Sequence, residues 1–266
     1  MNNSVINYPT IPTEIVVHLG PPDEAAENVS LPFVDYIKNV ASNEIYPTWP
    51  DSAIEANILA QISFALNRIY NEWYPSKGYS FDITSVPAYD QTFKVDSQVF
   101  DKISKKVDQI FNNYIYRKGQ IQPLSAVYCD GKVTTCNGLS QWGSVSLARQ
   151  NKTPIEILRY YYGQDIFINT ATSVSGIPAS WPTYDLTIGA TGNNVSTIQR
   201  QLNRIARAYP QIPVVSVDGR FGPSTARAVE TFQRIFDLPQ SGIVDYPTWY
   251  KISDIYVGVS KIAEYV

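Results

Sequence analysis

The chain is predicted to be α+β, with a mixed helix/strand domain followed by a small three-helix bundle, and three features of the sequence predict it. Apolar residues recur at spacings of three and four through most of the 266 residues. One stretch, "QIQPLSAVYC", reads instead as a strand. Between Asn169 and Asn194, Ser, Thr, Gly and Pro replace the periodicity, which marks a boundary. The expected division is 1–170, a linker at 171–187, and 188–266.

The elements follow in order. "LPFVDYIKNVASNE" places Phe33, Ile37, Val40, Ala41 and Glu44 on one helical face, so a carboxylate continues an apolar stripe. Thr48 and Asp51 suggest a capping box around Trp49 and Pro50, opening a helix whose buried face runs from Ile54 to Trp73. "FDITSVPAYDQTFKV" reads as irregular or extended chain. Phe100–Tyr116 has helical period through Ile103, Val107, Ile110, Phe111 and Tyr114. "SQWGSVSLARQ" and "TPIEILRYYYG" form two more helices, the second with Thr153 as its cap, Pro154 at its first position and Gly163 at its end. Beyond the boundary, stripes at Val195–Ile205 and Ala228–Phe236 flank the turn "VSVDGRFGPST", and a third helix starts at Asp245.

Composition removes several functions. With 44% hydrophobic and 17% charged residues the chain folds to a core, and a net charge of -3 gives no basic footprint for nucleic acid. No apolar run reaches the roughly 20 residues of a membrane span, and the first twenty residues show no export signal. The single histidine, His18, excludes a histidine-rich zinc centre and leaves no base for a Ser-His-Asp triad unless His18 is that base. No metal or other cofactor is expected. Cys129 and Cys136 could form a small disulfide loop, bind a metal as thiolates or stay free. The 19 tyrosines and 5 tryptophans supply rings that pack in cores and also stack on sugars.

Two resemblances sharpen this reading. "GNNVSTIQRQLN", "VDGRFGPSTARAVETFQ" and "SGIVDYPTW" resemble the peptidoglycan-binding type 1 domain. That likeness implies a wall-binding groove with Asp218, Arg220, Phe221 and Gln233 as contact residues, against the plainer reading that they cap and pack the bundle. "LPFVDYIKNVASNEIYPTWPDSAI", "DITSVPAYDQTF" and "GLSQWGSVSLARQNKTPIEILRYYYG" resemble the stage II sporulation protein D (SpoIID) family of lytic transglycosylases. This second likeness implies that Glu44 is the catalytic acid. It also implies that Tyr89, Gln91, Ser140 and Gln141 bond the sugar and its acetamido group. The family's helix Arg and Gln fall on Ile62 and Asn57, and its Met-Pro on Ile45 and Tyr46.

Cleaving a β-1,4 glycosidic bond needs a proton for the leaving oxygen, and a carboxyl group supplies it near neutral pH only when its pKa is raised. An apolar helix face does this by disfavouring the charged form. A hydrolase needs a second carboxylate, for which Asp82, Asp90 and Asp165 are candidates, whereas a lytic transglycosylase uses the sugar's own 6-hydroxyl. The expected function is therefore cleavage of peptidoglycan glycan strands in the cell envelope or a spore compartment. The alternative is a non-catalytic wall-binding scaffold.

Overall fold

In the computed structural model, which describes residues 9–171, 181–182 and 184–260, strands β1 (Glu14–His18) and β2 (Asn28–Pro32) pair antiparallel and lead into helix α1 (Phe33–Glu44). The chain forms two units, Met1–Ala171 and Thr172–Val266. Most of the expected linker, 172–180 and 183, lies outside the described residues.

The first unit is organised by α2 (Asp51–Tyr70), a 20-residue helix with buried residues on all sides from Ala53 to Leu66. A helix apolar all round belongs in the middle of a core, and α2 packs against α1, α3 (Asp101–Ile110), α4 (Gln141–Ala148), α5 (Pro154–Tyr162) and strand β4 (Asn113–Arg117). Its few polar residues dock these neighbours. Asn57 Nδ2 donates to Ser144 Oγ of α4 at 2.8 Å, and Ser63 Oγ accepts the Ile115 N–H of β4 at 2.8 Å. Gln61 Nε2 donates to Glu44 at the end of α1 at 2.9 Å. Lys38 of α1 and Asp108 of α3 close a largely buried ion pair at 2.8 Å.

Three small sheets complete the unit. Strand β3 (Ile83–Thr84) joins β1 in parallel, giving the order β2-β1-β3. β4 pairs antiparallel with β7 (Ile166–Thr170), in register from Asn113 opposite Thr170. Strands β5 (Tyr128–Cys129) and β6 (Leu139–Ser140) pair in parallel.

Three sequence expectations change here. The strand expected over "QIQPLSAVYC" contracts to β5, because Pro123 has no N–H to give a ladder and only bridges Tyr116. The helix expected over Phe100–Tyr116 ends at Ile110, and Tyr114, 1% exposed, serves the inner face of β4 instead. The capping box at Thr48 and Asp51 does not form: Pro50 is the cap residue, and the Asp51 carboxylate pairs with Lys102 at 2.7 Å. At α5 the box is present, with Thr153 and Glu156 each accepting the other's backbone N–H. Thr153→Ala therefore lowers stability by about 1 kcal/mol, read as a shift in the urea midpoint at unchanged slope.

The second unit holds helices α6 (Asn193–Ala206), α7 (Pro223–Ile235) and α8 (Tyr246–Ser260). Its core is Val195, Ile198, Leu202, Ile205, Phe221, Ala228, Val229, Phe232, Val244, Trp249 and Ile252. The bundle contains the same device twice. Gln199 of α6 accepts the N–H of Gly219 and donates to Asp218 Oδ1, the Arg220 carbonyl and Thr225 Oγ1. Gln233 of α7 accepts the N–H of Gly242 and donates to Ser241 Oγ, the Ile243 carbonyl and Thr248 Oγ1. Gly219 (φ 70°) and Gly242 (φ 66°) take the left-handed conformation that both turns require. Each helix thus uses one buried amide to hold the turn that starts the next helix. Asp245 caps α8 by accepting the Thr248 N–H at 3.0 Å.

Candidate functional site

Helix α1 ends at Glu44 because Ile45 turns to extended backbone (φ -128°, ψ 164°), which leaves the carboxylate at the end of an otherwise buried face. It enters a cleft of about 610 Å³ lined by Asn43, Pro87, Asp90, Thr92, Tyr128, Asp130 and Gln141, among others. Three residues donate to it. The Thr92 N–H reaches Oε1 at 2.7 Å and its hydroxyl also bonds the carboxylate, Gln61 Nε2 reaches Oε2 at 2.9 Å, and the Tyr128 hydroxyl hydrogen-bonds the same carboxylate.

Behind these donors lies a buried relay. Tyr36 donates its hydroxyl to Gln91 Oε1 at 3.0 Å, and Gln91 Nε2 donates to the Tyr128 oxygen at 3.0 Å and to the Gln61 carbonyl at 3.1 Å. Burial pushes the Glu44 carboxyl above its ordinary range, and the three donors only partly offset this. Burial likewise pushes Tyr128 and Tyr36 well up, with the Glu44 charge adding to both, so the two phenols stay protonated as donors.

The other carboxylates are committed elsewhere. Asp90 lines the cleft, but Oδ1 pairs with Arg68 at 2.8 Å, while Oδ2 accepts from Tyr74 (2.6 Å), the Thr84 N–H (2.9 Å) and the Thr84 hydroxyl (2.8 Å). Asp82 accepts the Val16 N–H at 2.8 Å, tying β3 to β1, and Asp165 pairs with Arg117 at the surface. Asp130, not singled out from sequence, does face the cleft. Its Oδ1 accepts the N–H groups of Lys132, Val133 and Thr134, and these hydrogen bonds hold its carboxyl below the usual range. His18 bonds Asn28 and the Glu24 carbonyl and stacks on Phe81 at 4.5 Å, a packing role.

Of the other sequence candidates, Gln91 is wholly buried and acts through Tyr128, while Gln141 is 6% exposed on the cleft wall. Ser140 caps α4 by accepting the Gly143 N–H at 2.9 Å. Tyr89 is 50% exposed in a neighbouring hollow of about 330 Å³ with Arg68, Trp73, Lys77 and Tyr79. That hollow shares Ala88 with the cleft. On another side, a hollow of about 470 Å³ lined by Tyr160 and Tyr161 shares Cys129 with it. Trp142, beside Gln141, sits 5.8 Å from Tyr46 and 5.0 Å from Trp49, and the Lys132 ammonium lies 3.4 Å from its ring centre.

Gln61, Thr92 and Tyr128 did not stand out in the sequence. Gln61 had a readable signal, being a polar residue in the middle of an apolar helix. Thr92 had none, since its 2.7 Å contact with Glu44 is made by its backbone N–H.

Cys129 and Cys136 are joined in a disulfide, with Cα atoms 6.1 Å apart. It closes the loop that carries Asp130 to the cleft and anchors it beside Tyr128. Replacing both cysteines with serine frees an eight-residue loop and lowers stability by about 2 kcal/mol, measured as a lower urea midpoint under non-reducing conditions. Among the described residues no cluster of three or more His, Cys, Asp or Glu could hold a metal.

In the second unit, Asp218 and Arg220 reach the surface, and the Arg220 N–H and Gln199 hold the Asp218 carboxyl below its usual range. Phe221 (2% exposed) and Gln233 (0%) lie inside the bundle and offer no face to a ligand. For these two the expected contact role gives way to packing and to pinning the Gly242 turn.

Against known families, residues 191–252 match the peptidoglycan binding domain. These residues span α6, α7 and the first turns of α8, and they support cell-wall binding and an envelope location. No curated protein matches the chain. Among the described residues no helix is long and apolar enough to cross a membrane.

Proposed function

We propose that the first unit cuts the glycan strands of peptidoglycan as a lytic transglycosylase, and that the second unit holds it to the wall. The carrying observation is Glu44, a carboxyl group raised by burial, aimed into an open cleft and fixed by three donors. Such a group keeps its proton to higher pH than an ordinary glutamate and delivers it to the leaving glycosidic oxygen; the resulting carboxylate then takes the proton of the attacking hydroxyl.

Asp90, with both oxygens occupied, is a poor nucleophile or base, which favours attack by the sugar's own 6-hydroxyl over a two-carboxylate route. The hollows that share walls with the cleft suit a polymer longer than the reacting sugars, and their exposed rings at Tyr89 and Tyr160 suit sugar faces. The resemblance of Leu31–Gly163 to the SpoIID family supports the same assignment. In this reading 1–170 is the cutting domain and 188–266 the wall anchor, onto which Trp181 and Leu186 of the expected 171–187 linker also pack, and the anchor raises the local concentration of strands at the cleft. The disulfide fits an oxidising envelope compartment.

Mass spectrometry of the products from purified strands tests this. Anhydro-muramyl ends establish the transglycosylase, while reducing ends assign hydrolysis, with Asp130 as the second carboxylate facing the cleft. Strands that sediment with the protein but stay uncut leave the scaffold reading.

A further inference from the structure

The buried glutamines differ in how they are held. Gln91, Gln199 and Gln233 each have both ends of the carboxamide engaged, so their orientation is fixed. Gln61 is 0% exposed, and its Nε2 donates to Glu44, but its Oε1 has no hydrogen-bond partner. A buried polar atom left unpaired is costly and calls for an explanation.

The chemistry at Glu44 supplies one. As a carboxylate Glu44 accepts from three donors, and the arrangement suits it. As the protonated acid it must donate, and its bonded neighbours offer few acceptors. Thr92 presents an N–H and a hydroxyl, the Tyr128 oxygen already accepts from Gln91, and Gln61 Oε1 is unpaired. Turning the Gln61 carboxamide over about its last torsion presents Oε1 to the proton on Glu44 Oε2. The turn leaves one end of the amide unpartnered in either orientation, the carbonyl now and the NH2 group afterwards, so the bond to Glu44 is what distinguishes the two.

We propose that Gln61 is a positioning residue whose carboxamide turns over with the protonation state of Glu44, donating to the carboxylate and accepting from the acid. It thereby holds one carboxyl group in place through both halves of an acid-then-base cycle. The proposal rests on Glu44 being the proton donor of the reaction.

Other groups that face the pair are Tyr128 from β5, Tyr36 from α1, Asp90 with Arg68 beside the cleft, and Asp130 from the disulfide loop. The two phenols stay protonated, and Asp90 is tied to Arg68. Asp130, held low, ionises at more acid pH than Glu44, which separates the two transitions.

The test is an NMR titration of the full chain with two probes, the Glu44 side-chain carboxyl carbon and the Gln61 side-chain amide protons. The Gln61 signals are expected to move with the midpoint of Glu44, exchanging contacts at Oε2. Amide signals that stay flat through the Glu44 transition overturn the proposal. Gln61→Met, similar in length and without the amide, gives a second readout. Because both forms of Glu44 lose one bond, its midpoint and the limb of the pH–rate profile that reports it stay near the wild-type position. A marked upward move would mean that Gln61 serves only the carboxylate, and would also overturn it. Cleavage is scored separately: turnover with flat amide signals defeats this proposal alone, whereas moving signals without turnover defeat only the transglycosylase reading.

Discussion

Glu44→Gln is expected to lower strand cleavage by about 10²–10⁴-fold, the contribution typical of a positioned general acid, while sedimentation of the protein with purified wall stays unchanged. The two readouts separate because wall affinity is assigned to residues 191–252, whereas Glu44 lies in the cleft of the first unit. The same variant carries a stability signature with a defined sign. Burial raises the folded-state pKa of Glu44 above its unfolded value, so the contribution of this group is fully present below the ordinary glutamate range and is lost as pH rises through the folded pKa. Removing the ionisation removes that loss. Thermal melts should therefore show Glu44→Gln gaining on wild type as pH rises above the ordinary glutamate range, since ionising a buried carboxylate is what costs the wild type. A difference in melting temperature that stays constant over this window would mean that Glu44 is not raised, and that it is a poor acid at neutral pH.

How much of this was legible beforehand depended on which physical signal each residue leaves. Glu44 was legible because a carboxylate on an apolar stripe breaks a 3.6-residue pattern, and because a resemblance fell on the same position. The helices α1, α2, α4 and α5 were legible from period, caps and the Gly163 stop. The strands β1, β2, β4 and β7 were not, because each is five residues long and draws its stability from partners distant in sequence, as Asn113 does from Thr170. Tertiary context also decided Tyr114, whose position fits a helical stripe as well as a strand's inner face.

The cleft shows the same limit. Gln61, Thr92 and Tyr128 lie 17, 48 and 84 positions from Glu44, and only the packing of α2 against α1 and the tie at Cys129 bring them to it. In the second unit the glycine turns were evident, but the role of the two glutamines was not. A buried amide that pins a turn and an exposed amide that grips a ligand are the same letter in sequence, and only burial tells them apart.

Trp249→Ala is expected to unfold the second unit and abolish wall sedimentation, while the proposed cleavage of short soluble glycan fragments persists. Trp249 is 0% exposed and meets the Trp181 ring edge-on at 5.9 Å. Truncating a buried Trp costs about 3–5 kcal/mol through lost burial and the cavity left behind. Small domains bury a smaller share of their surface on folding and sit toward the low end of the usual range of about 5–15 kcal/mol, so one such loss consumes most of the stability of this unit. Circular dichroism should show helix lost in an amount matching α6 to α8, with the remaining signal melting as in wild type. Tyr184→Ala is the control, since Tyr184 is 53% exposed and its loss leaves the helical core intact. Were Trp249→Ala to unfold the second unit yet still sediment with wall, affinity would have to come from the first unit, and residues 191–252 would not be the anchor. If instead both activities vanish together in Trp249→Ala, the two units do not fold independently, and the division of labour between cleft and bundle fails.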